Sequence, residues 1–177
     1  MDASTVMALA LVCAPQVHVE TTQALVRVES GFNPFAIGIV GGALLRQPRQ
    51  RAEALATAKA LQAGGWNFSV GLGQINVGNF ARLGLTIDSA FEPCTNLAAM
   101  QSVLGECFER ARALNPTPSN EPSNPASTDQ AALRQALSCY YSGNFGTGFR
   151  HGYVRRVLAA AGTAASCVPA VAPKEKT

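Results

Sequence analysis

Leu97, Met100, Leu104, Phe108 and Ala111 follow one another at intervals of three and four. That is the period of one helix face, and five apolar residues on it predict a long helix with a buried stripe. Thr95 or Asn96 can cap it. Other runs share the period. Thr21, Ala24, Leu25 and Val28 predict a helix over residues 16–29, with Pro15 at its start, where a missing N–H costs nothing. The Ala-rich stretch 49–63 ends at Gly64-Gly65, and a short helix covers 77–83. Ser127 and Gln130 form a capping-box pattern opening a helix to about Tyr141, with Leu133, Ala136, Leu137 and Tyr140 on one face. Tyr153, Val154, Val157, Leu158 and Ala161 line a last helix, closed by Gly162. Strand signals are scarce. Residues 32–46 read as a loop with short extended pieces and one hairpin around Val40-Gly41-Gly42-Ala43, and 66–70 is short and extended. The expected fold class is mainly α (α+β) with few short strands. Residues 115–128 change to Pro, Asn, Ser and Thr, an exposed loop open to nicking.

Composition narrows the function classes. Of 177 residues 47% are apolar and 14% charged, against a usual charged share of about 25%. This suits one domain with a real core and excludes a disordered chain or a coiled coil. The net charge of +3 comes mostly from Arg spread along the chain without a run. It gives no case for nucleic acid, but a mild positive field suits an anionic polymer. Cys13, Cys94, Cys107, Cys139 and Cys167 include no Cys-x-x-Cys pair, and the histidines are His18 and His151 alone. Neither a metal site nor a cofactor is expected; two disulfides in an oxidising compartment fit better. No stretch reaches the roughly 18 apolar residues of a membrane span. Met7 to Cys13 is a short apolar run with no Lys or Arg before it, at most a remnant of a signal peptide. Residues 1–12 therefore read as an N-terminal segment, 13–162 as the domain and 163–177, with Pro169, Pro173 and Lys-Glu-Lys, as a disordered tail.

The chemistry points to Val28-Glu29-Ser30-Gly31-Phe32-Asn33-Pro34. Gly31 and the Asn-Pro step are helix stops, so Glu29 belongs on a last helical turn. The negative end of the macrodipole and any burial both favour the protonated carboxyl there. A carboxyl held protonated near neutral pH is what a general acid for glycosidic bonds needs; a solvated Glu at a helix end is the plainer alternative. In Gly71-Leu72-Gly73-Gln74-Ile75-Asn76 the glycines allow close backbone approach to a ligand, and Gln74 both donates and accepts hydrogen bonds, as a sugar requires. An ordinary turn is the alternative reading.

With Leu137-Ser138-Cys139-Tyr140-Tyr141-Ser142-Gly143-Asn144 these blocks stand in the order E-S-x-F-x-P-x-A, G-L-M-Q-I, A-Y-N-A-G. In this the chain resembles the lytic transglycosylases of the lysozyme-like superfamily (SLT domain). Ile37-Gly38-Ile39-Val40-Gly41-Gly42, Gly65-Trp66-Asn67-Phe68-Ser69 and Cys139-Tyr140-Tyr141-Ser142-Gly143-Asn144 resemble the branch attached to type IV secretion systems. The likeness runs from about Cys13 to Ala161. It implies a lysozyme-like fold, peptidoglycan strands as substrate, secretion-system subunits as partners, and an exported, periplasmic protein. The family cleaves the β-1,4 bond between N-acetylmuramic acid and N-acetylglucosamine with one carboxylate. Glu29 would protonate the bridging oxygen, then take the proton of the muramyl C6 hydroxyl as it attacks C1, leaving a 1,6-anhydro sugar. By the resemblance Tyr140 bonds and orients Glu29. Gln74 and Asn76 line the groove, Ser30 holds the loop after Glu29, and Tyr153 either stacks on a sugar or belongs to the core. Gly73 stands where the family has Met, and Tyr141 where it has Asn; Asn144 is the candidate to take over that sugar contact. A hydrolytic muramidase, which needs a second carboxylate, and a non-catalytic glycan-binding assembly factor are the other readings.

Helix geometry bears on the cysteines. A continuous helix puts Cys94 and Cys107 about 20 Å apart, too far for a disulfide. Cys139 adjoins Tyr140 at the groove, with Cys94 expected at the same end and Cys13 and Cys107 far from it. The expected pairs are Cys94–Cys139 and Cys13–Cys107, with Cys167 free.

Overall fold

The computed structural model describes residues 1–114 and 125–165. In chain order it comprises α1 (Ala3–Cys13), α2 (Val19–Ser30), β1 (Ile37–Ile39), α3 (Arg51–Ala63), β2 (Phe68–Val70) and β3 (Ile75–Asn76). A turn of 3-10 helix (Val77–Asn79) leads into α4 (Phe80–Leu83), α5 (Ile87–Ala90), α6 (Pro93–Leu114), α7 (Pro125–Ser142), α8 (Thr147–Arg150) and α9 (Tyr153–Ala165). Helices dominate, as the periodicity requires.

The apolar stripe makes α6 central. Leu97, Met100, Leu104 and Ala111 are buried, and Phe108 packs partly buried beside them. Helix α6 lies against α7 and α1, while α2 lies against α9 and α1. The apolar run at Met7 to Cys13 lies in α1, which turns one face to this core and leaves Met7, Leu11 and Val12 exposed. Asp2 caps α1 by accepting from the Thr5 N–H at 2.8 Å, and Val6, Ala10 and Cys13 are buried. The expected helix over 16–29 therefore begins later, at Val19. Pro15 and Gln16 form the turn back from α1, where the Gln16 N–H is held by Gln101 Oε1 at 2.7 Å.

Three further boundaries move. Helix α6 starts at Pro93, so Thr95 and Asn96 lie inside its first turn rather than capping it. Helix α7 starts at Pro125, before the expected capping box, whose Ser127 side chain lies outside the described residues. Helix α9 continues through Gly162 to Ala165, into the span expected to be a tail; glycine costs a helix about 1 kcal/mol but does not end it. The exposed loop expected over 115–128 is overtaken by α7 from Pro125 on; residues 115–124, and the expected tail from 166 with Cys167, lie outside the described residues.

The expected local hairpin at 40–43 reduces to one bridge, Ile39 with Gly42. Strand β1 pairs instead with the distant β2, Ile37 opposite Val70 and Ile39 opposite Phe68, and β2 pairs with β3, all antiparallel. Non-local pairing wins because it buries Ile37, Phe68, Val70 and Ile75 in the core, each worth about 2 kcal/mol.

The disulfides are Cys13–Cys94 and Cys107–Cys139, with Cα separations of 5.2 and 5.8 Å. Cys94–Cys107 is excluded, as the continuous α6 demands, but the expected partners were exchanged. Packing of α1 on α6 brings the end of α1 to the start of α6. Packing of α6 on α7 then leaves Cys107 facing the end of α7.

Candidate active site

Glu29 is the penultimate residue of α2. The helix stops because Gly31 takes the left-handed conformation (φ 56°) and its N–H closes on Arg27 O, a turn that favours glycine. The Ser30 hydroxyl donates back to Val26 O at 3.0 Å. Ser30 thus trims the helix end and is not among the residues lining the groove. Glu29 is half-buried and faces that groove. Desolvation raises its carboxyl to about 7, against opposing pulls from a Tyr153 hydrogen bond and the Arg156 charge.

The tyrosine that holds Glu29 is Tyr153, whose hydroxyl donates to Oε1. Tyr140 does not: its hydroxyl donates to Gly73 O at 2.5 Å. Tyr153 opens α9, and packing of α9 on α2 sets its ring beside the end of α2. Tyr140 sits in the last turn of α7 and points at the glycine-glutamine block instead. Tyr153 does not stack on a sugar, because it is buried and Tyr141 covers its ring, with centroids 4.6 Å apart and planes at 20°. Arg156 lies 5.8 Å from the same ring and donates to His151 O at 3.1 Å. Burial and the Glu29 charge keep both tyrosines protonated.

The glycine-glutamine block is held from below by a residue with no sequence signal for this role. Asn96 is 1% exposed. Its Oδ1 accepts the Gly73 N–H at 2.7 Å, and its Nδ2 donates to Val70 O at 3.0 Å and Ala90 O at 2.8 Å. The spacing marked Asn96 as a polar residue at a helix start, where capping is the common use. Gly73 is required by close approach: a Cβ there would lie 2.9 Å from Met100 Cβ and 3.1 Å from the Tyr140 hydroxyl. The Met expected at this position has no room. Gln74 adopts φ 51°, and its Nε2 donates to Ala36 O at 3.1 Å and Gly71 O at 3.0 Å. Asn76 Nδ2 donates to Asn67 Oδ1 at 2.7 Å, and its Oδ1 takes the Gly78 N–H.

Together these elements bound a groove of about 750 Å³. Glu29, Gln74, Asn76, Tyr140 and Tyr141 all line it, so the three sequence blocks converge. Asn144 does not; its Oδ1 caps α8 through the Gly146 and Thr147 N–H groups. Asn67 just before β2, Ser69 within it, Asn79 and Arg82 near α4, and one face of α6 add to the wall. That face, Val103, Glu106, Cys107 and Arg110, has helical spacing that was masked by the stronger apolar stripe.

Residues 7–158 match the family described as the transglycosylase SLT domain. The type IV secretion system protein virB1 of Brucella suis is 43% identical over 176 residues, which is 97% of this chain and 70% of that protein. Its counterpart from Brucella abortus is 46% identical over 160 residues, 88% of this chain and 63% of that protein. Protein virB1 of Agrobacterium fabrum is 37% identical over 150 residues, 84% of this chain and 56% of that protein. The chain thus spans part of the length of each. No solved structure matches it. The converging blocks, and a match that runs from α1 into α9, place one conclusion beyond the resemblance: the chain belongs to the transglycosylase SLT domain family.

Proposed function

We propose that this chain is a lytic transglycosylase of the periplasm that cuts the β-1,4 bond between N-acetylmuramic acid and N-acetylglucosamine. It would open peptidoglycan locally for a type IV secretion system. The observation that carries the reading is Glu29, its carboxyl raised by desolvation to about 7 and held by Tyr153 in the wall of the groove.

Tyr153 donates to Oε1, which leaves Oε2 to carry the acid proton. Glu29 gives that proton to the bridging oxygen as the C1–O bond breaks. The carboxylate so formed accepts the C6 hydroxyl proton, and the C6 oxygen bonds to C1. The acid is regenerated, no water is consumed, and the product ends in a 1,6-anhydro ring. The substrate's own acetamido group can meet the positive charge at C1. Glu106, the other carboxylate among the described groove-lining residues, is tied to Arg82 at 2.5 Å. A hydrolytic muramidase needs a second carboxylate free to activate water or attack C1, so the single-carboxylate route fits better. The two disulfides agree with an exported protein.

Mass spectrometry of muropeptides from digested sacculi tests the reading. The expected fragments carry 1,6-anhydromuramyl ends, one water lighter than hydrolytic ends. Reducing muramic ends as the main product would establish the muramidase instead, and intact sacculi the assembly factor.

A further inference from the structure

The groove-facing side of α6 carries two charges in different circumstances. Glu106 is neutralised by Arg82, whose Nε also donates to Asn79 Oδ1 at 3.1 Å. Arg110, one turn further along the same face, has no carboxylate partner among the described residues. Its guanidinium lies 5.3 Å from the Phe145 ring centroid, and Nη1 lies 3.6 Å from Cys139 Sγ. An aromatic face and a disulfide sulfur steady a guanidinium but leave most of its five N–H donors unused. Burial raises the Glu29 carboxyl to about 7, so near pH 7 it offsets at most part of the charge. A steadied guanidinium with free donors, in the wall of a binding groove, is preorganised for a carboxylate.

A glycan backbone of hydroxyl and acetamido groups offers no anion. The substituent on the muramyl ring does, either as the lactyl carboxylate itself or as carboxylates of a peptide amide-linked to it. We propose that Arg110 binds a carboxylate carried by the muramyl substituent, so that the groove tells muramyl chains from neutral chitin-like ones. The inference rests on the substrate proposed above.

Binding can be read without turnover in the Glu29→Gln protein, with and without Arg110→Gln. The ligands are three tetrasaccharides: muramyl with peptide, muramyl with the peptide removed, and chitotetraose. The second substitution is expected to weaken binding of a carboxylate-bearing ligand about tenfold and to leave chitotetraose unchanged. Loss confined to the peptide-bearing ligand assigns the peptide carboxylate; loss on the stripped ligand assigns the lactyl group. Arg110→Lys should recover part of the loss. Unchanged affinity for all three ligands, or an equal loss on chitotetraose, overturns the proposal. Should Arg110→Gln fail to fold, the salt dependence of the parent decides: its preference for charged ligands must shrink as ionic strength rises, and a salt-independent preference overturns the idea. Failure of the functional reading is seen separately, as wild-type protein that releases no anhydro ends from sacculi.

Discussion

At Glu29 burial and hydrogen bonding pull in opposite directions, and burial wins. The acid form starts the reaction, so turnover should fall as pH rises through about 7. The Tyr153 bond lowers the Glu29 pKa. Tyr153→Phe should therefore move the falling limb of the pH–rate profile upward while reducing the rate by loss of orientation. Tyr140→Phe should leave the limb in place, since Tyr140 bonds Gly73 rather than Glu29. A limb shifted by Tyr140→Phe and not by Tyr153→Phe would reverse the assignment. Glu29→Gln keeps the shape but cannot transfer a proton, and should cost at least 10²–10⁴-fold in turnover, roughly the worth of general acid catalysis. The raised pKa also has a stability sign. An unfolded Glu ionises near its ordinary 4.5, but the folded one only near 7, so ionisation favours unfolding. The stability held below pH 4.5 is lost as pH rises through 7. Glu29→Gln avoids that loss, and denaturant titration should find it more stable than wild type above pH 7, by on the order of 2 kcal/mol, and not at pH 4.

Among the elements, the segment from β2 through the glycine-glutamine block depends on α6. Asn96 satisfies one N–H and two carbonyls belonging to other elements. Its replacement by Leu strands all three in the interior, where each unsatisfied group costs about 1–3 kcal/mol. Asn96→Leu should destabilise the protein by about 3 kcal/mol or more and lower activity by releasing Gln74, both measurable on one preparation. A loss in stability of under 1 kcal/mol would show that the block holds its own shape. Gly73→Met should be worse than Gly73→Ala, because Met100 and the Tyr140 hydroxyl already fill the space.

Over the whole molecule the two disulfides connect α1 to α6 and α6 to α7. They close spans of 81 and 32 residues, for which chain entropy gives about 4 kcal/mol each. Removing either pair by Cys→Ser should lower the unfolding midpoint strongly. Loss of Cys107–Cys139 should also reduce activity, because both cysteines line the groove beside Tyr140; loss of Cys13–Cys94 should act on stability alone. Non-reducing peptide mapping checks the pairing directly.

Helix spacing along α2, α6 and α7, the glycine stop after Glu29 and the order of the three blocks lie in local sequence. The resemblance those blocks carry implies groove roles for Gln74 and Asn76, and the spacing and the glycine stop place Glu29 at a helix end. Local chemistry can do this because periodicity, capping and turn preference act over a few residues. Which tyrosine reaches Glu29 is a different kind of question. Tyr140 and Tyr153 both follow helical patterns, and only the packing of α9 against α2 gives the bond to Tyr153. The same holds for Cys13 meeting Cys94, for β1 choosing β2 over a local hairpin, and for Asn96 turning inward to Gly73. In each case the side chain's own neighbours allow several partners. The one that forms is chosen by how the helices stack to bury their apolar faces, a non-local sum of contacts that no single stretch of sequence contains.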